Sequence, residues 1–254
     1  MLFKFLKRSA ITQAQTIAIM GIVFLILFFI IAFPLYKSYQ QKQTVAKLKI
    51  LQSEILQAGR MYAMMNDGTS LYDTDMILED FVEKYFARFF NLEGFCKTNQ
   101  AMCWNNPMYS DMKRNKVFEK PIYSFELKGK IVLGFLKNKD GLIYIVADIN
   151  GKSAPNQMGK DIFIMYFYNN AHRPKLCDKT EYEKFYITDG LHFGGFDKCG
   201  IPHDVYQYND LISKDFPDGC NKKAKPQEGG AGVGAACLAL IKVNNWTIDK
   251  NYPW

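Results

Sequence analysis

Hydrophobic residues fall along this chain in three successive patterns. In residues 17–35 nearly every position is Ile, Leu, Phe, Val, Met or Ala, and no charged residue occurs between Arg8 and Lys37. Nineteen residues at ~1.5 Å each make a helix of roughly 28 Å, close to the ~30 Å hydrocarbon core of a bilayer. A soluble core helix is seldom apolar on every side over such a length, so the first pattern predicts a membrane-embedded helix. In residues 36–65 the pattern changes. Val45, Leu48, Leu51, Ile55, Ala58 and Tyr62 recur at helical spacing, while Lys42, Lys47, Lys49, Gln52 and Glu54 take the other face. The same helix is therefore expected to continue as an amphipathic half, ending at Asn66-Asp67-Gly68. Pro34 lacks an amide donor and is expected to kink or loosen it.

The third pattern belongs to a folded domain. Thr74 is the expected N-cap of a helix reaching Phe90, with Ile77, Leu78, Phe81, Val82, Tyr85, Phe86 and Phe89 on its apolar face. Runs 122–127, 131–137, 142–149 and 162–168 are rich in β-branched and aromatic residues, and short turns separate the first three. Short connections imply antiparallel neighbours, so about four strands should form one antiparallel sheet. Residues 177–219 read as a loop-rich insertion, and 226–234 as a flexible Gly-rich linker before a short helix over 235–243. The class is α+β, in four segments: a leader 1–10, a membrane half-helix 11–35, an amphipathic half-helix 36–65 and an exported domain 66–254.

Charge and cysteine content set the orientation. The chain has 254 residues and a formal charge of +7. All of that excess lies before Glu54, where seven basic residues meet no acidic one; the remainder carries 25 of each sign. A nucleic-acid-binding domain spreads its positive charge over the folded surface, so no nucleic-acid partner is expected. Lys4, Lys7 and Arg8 should stay cytoplasmic. A cleaved secretory signal has a shorter apolar run and a small-x-small site, which the sequence lacks after the run. All six cysteines follow the span, as in an exported domain with disulfides. The expected location is the inner membrane, single-pass, with the C-terminal domain periplasmic or extracellular. Cys96 and Cys103 suggest a local bridge. Of the three connectivities open to the other four, the pairs expected are Cys177 with Cys199 and Cys220 with Cys237.

Chemistry is sparse. The sequence holds no nucleophile elbow, zinc-protease helix, phosphate-binding loop or dinucleotide fingerprint, and no enzymatic activity is expected. His192, Cys199 and His203 offer a short zinc spacing, but an exported cysteine is better read as bridged. Asp148, Asn150 and Asp161 offer hard oxygen ligands that would suit calcium. Two carboxylates are few for that ion, and capping of the loop by its own side chains is the favoured reading; no other cofactor is expected.

The basic leader, the apolar half-helix and Ala32-Phe33-Pro34-Leu35-Tyr36 resemble the N-terminus of type IV pilins and of the pseudopilins of type II secretion. Two further stretches resemble segments of bacterial type II secretion pilin-like proteins. One is the loop Asp148-Ile149-Asn150-Gly151 … Pro155-Asn156-Gln157-Met158-Gly159-Lys160-Asp161-Ile162-Phe163. The other is the ending from Cys237 through Trp246 to Tyr252-Pro253-Trp254. The resemblance implies a long N-terminal helix packed on an antiparallel sheet, with disulfide-fastened C-terminal loops. It implies a structural, minor or tip-like subunit of a pilus or secretion pseudopilus. Its partners would be other pilin-like subunits through the N-terminal helix, an inner-membrane assembly platform, a prepilin peptidase and secreted substrates. Processing would fall between Ala10 and Ile11, with methylation of the new amine. The family has Gly before the cut and an acid five residues after it; here Ala10 and Gln15 stand there. A single-span membrane-anchored binding or enzymatic domain is the alternative.

Overall fold

The computed structural model describes residues 13–66, 78–90, 92–96, 109–118, 123–137, 143–151, 153–168, 177 and 179–254. One long helix, α1 (Gln13–Met65), opens the chain and runs through Pro34 without a break. The chain divides into two compact units, Met1–Gln43 and Thr44–Trp254, and the boundary falls inside α1. The reason is burial. Of the predicted stripe, Leu48, Leu51, Ile55, Ala58 and Tyr62 are buried in the second unit and Val45 is partly buried, so the last turns of α1 fold with that unit. Lys47 adds a polar tie, its Nζ donating to the Ile149 carbonyl at 2.6 Å. Asn66 ends the helix by donating from Nδ2 to the Tyr62 carbonyl at 2.9 Å.

The second unit is built on one antiparallel sheet in simple sequential order, β1 (Leu92–Cys96), β2 (Tyr123–Leu127), β3 (Ile131–Lys137), β4 (Ile143–Asp148), β5 (Ile162–Tyr168) and β6 (Gly190–Phe193). The four strands read from the sequence are β2 to β5. The sheet has six because two short edge strands join it. β1 is interrupted by a register shift between Leu92 and Gly94, and β6 is four residues long with a glycine and a histidine. Neither carries the apolar run that marks the middle strands.

Both faces of the sheet are covered. Leu133 and Phe135, Ile145 and Ala147, and Phe163, Met165 and Phe167 point into one core with the α1 stripe and with α5 (Cys237–Val243). Val132, Val146 and Ile164 point the other way, toward Tyr109, Met158 and Ala235. This two-sided cover explains why β5, Ile-Phe-Ile-Met-Tyr-Phe-Tyr, is apolar at almost every position and buried at all seven.

The second helix departs from expectation. It is α2 (Leu78–Asp80), then a π turn (Phe81–Phe86), then a 3₁₀ turn (Ala87–Phe89). In a π turn residues five apart share a face, so Phe81 and Phe86 are both fully buried, with ring centroids 5.9 Å apart. Phe86 packs against Phe135 at 4.9 Å, placing an aromatic cluster on the sheet. The expected cap Thr74 and Ile77 lie outside the described residues.

The 226–234 segment is not a loose linker. It wraps the carboxylate of Asp218, which accepts from the Gln227 and Gly232 amides at 2.9 and 3.2 Å. Gly230 lies so close that a Cβ there would meet Asp218 Oδ2 at 2.1 Å. An unpaired buried carboxylate would be costly, and a glycine-rich backbone can approach near enough to satisfy it. The remaining short helices are α3 (Lys179–Glu183) and α4 (Tyr208–Leu211).

Candidate functional site: an apolar helix and a locked loop

The first feature is α1 itself. From Ile17 to Leu35 the large apolar side chains are 49% to 69% exposed, on every side of the helix. This is the one helix among the described residues long and apolar enough to cross a membrane. The first turn carries no acidic residue, and Gln15 lies within it. The other two residues of the expected processing site, Ala10 and Ile11, lie outside the described residues.

The second feature is the loop between β4 and β5, closed by side chains at both ends. Asp148, the last residue of β4, is fully buried. Its Oδ1 accepts from the Asn150 amide at 3.2 Å and its Oδ2 from the Tyr109 hydroxyl at 2.9 Å. Asp161 accepts from the Asn156 and Gln157 amides at 2.8 and 2.6 Å, and Asn150 Nδ2 reaches it at 3.1 Å. Burial lifts the Asp148 carboxyl to about 7; the Tyr109 hydrogen bond opposes this and the charge of Asp161 adds to it. Burial also raises Asp161, against four hydrogen bonds that lower it, the amides of Gln157 and Asn156 foremost.

Gly151 and Gly159 of this loop have separate steric reasons. Gly151 has φ +65°, and a Cβ there would sit 2.6 Å from the Lys130 carbonyl oxygen. Gly159 has φ +78°, and a Cβ there would meet the Cys237 sulfur at 2.7 Å. Asn156 follows the cis Ala154–Pro155 bond and also has positive φ. The C-terminal ending docks on this same loop: the Tyr252 hydroxyl donates to the Gly159 carbonyl at 2.5 Å. Two stretches almost a hundred residues apart therefore meet at Gly159.

All four oxygens of Asp148 and Asp161 already receive a protein donor. Among the described residues no group of three or more His, Cys, Asp or Glu gathers. The loop is therefore read as a hydrogen-bonded lock. Millimolar calcium is expected to leave the thermal midpoint of the full chain unchanged within about a degree. A rise of several degrees, lost in Asp161→Asn, would instead make Asp148, Asn150 and Asp161 ion ligands.

Disulfides fasten the rest. Cys177 is bonded to Cys199 and Cys220 to Cys237, as expected, and no described cysteine is free. Cys96 is disulfide-bonded, and Cys103 lies outside the described residues. The cysteine of the considered zinc set is thus spent on a bridge. Its histidines do other work. His192 Nδ1 lies 2.7 Å from Asp204 and its Nε2 lies 2.8 Å from the Thr188 carbonyl. Asp204 also holds Lys242 at 2.7 Å. Burial would raise the Asp204 carboxyl, but its bonds to His192 and Lys242 outweigh this and hold it below the usual range. His203 is enclosed, its Nδ1 accepting from the Gly195 amide at 3.2 Å, and burial lowers it to about 3.

Sequence reading did not find a recess of about 880 Å³ beside the 3₁₀ turn His203–Val205. Phe185, Tyr206 and Phe216 form its wall, with ring centroids 4.9 Å apart in each successive pair. Tyr186 on its rim is 92% exposed. These residues come from three separate stretches of the chain, so no local spacing announces them. Compared with known proteins, the chain matches no family model, no curated protein and no solved structure.

Proposed function

We propose that this protein is a structural, minor or tip-like subunit of a type IV pilus or type II secretion pseudopilus, held in the inner membrane until assembly. The observation that carries this reading is the all-round apolar surface of residues 17–35, in one continuous helix with the start of an α+β unit. Such a surface is stable in lipid or against copies of itself, and exchange between the two is the physical step of filament growth. The mechanism needs no catalysis. The basic residues ahead of the span stay in the cytoplasm, and the disulfide-fastened unit lies outside. The assembly platform and a prepilin peptidase would act on the membrane-held form.

Two measurements on the full chain in cells test this. Mass spectrometry is expected to show a mature N-terminus at Ile11 with a methylated amine. A photoreactive residue at Phe24 is expected to give covalent dimers and higher multimers. An intact leader together with monomers alone would overturn the proposal. That outcome would favour a second reading, a membrane-anchored binding domain. The 880 Å³ recess with its aromatic wall is the feature that speaks for it, since ligand sites favour such concave, partly apolar surfaces.

A further inference from the structure

Residues 109–118 form a small hairpin bolted to the β4–β5 loop. Ser110 donates its amide to the Asn156 carbonyl at 3.0 Å and accepts from the Met158 amide at 2.8 Å. Val117 donates to the Tyr109 carbonyl at 3.1 Å, closing the hairpin. The buried Asp111 shapes its tip, accepting from the Lys113 and Asn115 amides, each at 2.8 Å. Arg114 at that tip has φ +67°. A recess of about 410 Å³ lies between hairpin and loop.

The lining of this recess is one-signed. Arg114 and Lys116 come from the hairpin and Lys160 from the loop; Ser110 and Gln157 complete the polar wall. Among the described residues no carboxylate lines it. The neighbouring ones are buried and engaged by protein donors: Asp111 as above, Asp148 by Tyr109, and Asp161 by Asn156 and Gln157. Among the described residues none of the three cations has an ion-pair partner, and the Ser110 hydroxyl has no hydrogen-bond partner. The chain beyond residue 53 carries equal numbers of positive and negative residues. Three unpaired cations converging on one concavity are thus a local departure from that balance.

We propose that this recess binds the phosphate group of an anionic ligand. A guanidinium offers a planar fork of N–H donors, and the two ammonium groups and a hydroxyl add further donors. Three positive charges match a phosphate monoester of about two negative charges and three acceptor oxygens better than a single carboxylate. The volume exceeds what a bare phosphate fills, leaving room for an organic portion. The backbone bonds to the loop fix the main-chain segments that carry these side chains, which lowers part of the ordering cost of binding. The same chemistry is presented by a soluble phosphate ester and by a lipid headgroup.

Calorimetry on the full chain in a neutral detergent micelle tests the proposal and separates the two sources. Glycerol 3-phosphate is the soluble probe, and dioctanoyl phosphatidate, added to the same micelles, is the lipid probe. Saturable binding to either supports the proposal, and which one binds identifies the source. The combined variant Arg114→Gln/Lys116→Gln/Lys160→Gln is expected to weaken that binding at least tenfold. Lys222→Gln/Lys223→Gln/Lys225→Gln removes the same charge from exposed positions elsewhere and should leave it unchanged. Arg114→Gln alone, at an exposed position, should weaken binding severalfold with an unaltered thermal midpoint. Failure of both probes to bind, or equal weakening in the two triple variants, would overturn the proposal.

Discussion

Replacing Gly159 with alanine is expected to destabilise the protein by about 2–5 kcal/mol. Two costs combine. An L-residue at φ +78° costs about 1–2 kcal/mol in the left-handed region. The new Cβ would also lie 2.7 Å from the Cys237 sulfur and 2.8 Å from the Met112 methyl. Met112 can swing aside, but the sulfur is bonded to Cys220 and carried by the buried first turn of α5, and overpacking of this kind costs about 1–3 kcal/mol. The same shift would disturb the carbonyl that receives the Tyr252 hydroxyl. At about 2–4 °C per kcal/mol for a domain of this size, the thermal midpoint should fall by roughly 5–20 °C. Gly129→Ala is the control. Gly129 has φ +90°, but nothing lies within 4 Å of its added Cβ, so only the conformational cost should appear. Equal losses in the two variants would remove the proposed role of Gly159 as the meeting point of loop, disulfide and C-terminus.

The dependence of stability on pH is expected to be the balance of two opposed groups, and single substitutions should expose each. His203 is enclosed and neutral, its group lowered to about 3 by burial against an ordinary 6.5. The native state therefore binds fewer protons than the unfolded chain between those values. The stability it protects is present above about 6.5 and is lost as pH falls toward 3. Asp148 runs the other way. Burial lifts it to about 7 from 3.8, so the native state holds an extra proton between those values. Its contribution is full below about 4 and is lost as pH rises through 7. Burial raises Asp161 and Asp218 in the same direction as Asp148, while Asp204 falls on the side of His203.

Because the two windows overlap, the wild type should show a shallow profile between pH 4 and 6.5. Asp148→Asn keeps the shape of the side chain and removes its titration; its stability should rise more steeply with pH across this window. His203→Asn keeps an acceptor near the Gly195 amide and removes the imidazole; its stability should fall more steeply. Each slope should change by up to about 1.4 kcal/mol per pH unit, in opposite senses, whatever the absolute stability of the variant. Urea unfolding at several pH values, with disulfides intact, reads the slopes. A shift of both slopes in the same direction would show that these two groups do not set the balance.

Legibility followed the range of the interaction. The α1 stripe is readable because helix period and burial coincide: Leu48, Leu51, Ile55, Ala58 and Tyr62 follow one another at three or four residues and all are buried. Strands β2 to β5 were readable because their apolar, β-branched and aromatic runs are dense and short turns separate most of them. The edge strands were not, since β1 and β6 take their order from a neighbour's hydrogen bonds rather than from their own composition. The π turn at 81–86 has the sequence of an ordinary helix, because Phe81, Val82, Tyr85 and Phe86 suit either period until the sheet selects one.

The same division holds for the candidate site. By itself the sequence determined an apolar rod at its start, an α+β domain after it, and a loop whose Asp148 and Asn150 cap their own backbone. These are consequences of periodicity and of side chains bonding within about a dozen residues. Only the tertiary structure decided that Gly159 would receive Tyr252 and abut Cys237, and that Asp218 would be enclosed by the 226–234 glycines. It alone brought Arg114, Lys116 and Lys160 to one recess. Those meetings join residues tens of positions apart, and nothing in local spacing encodes them. They follow from which faces of the sheet must be covered, and the sheet exists only once the chain has folded.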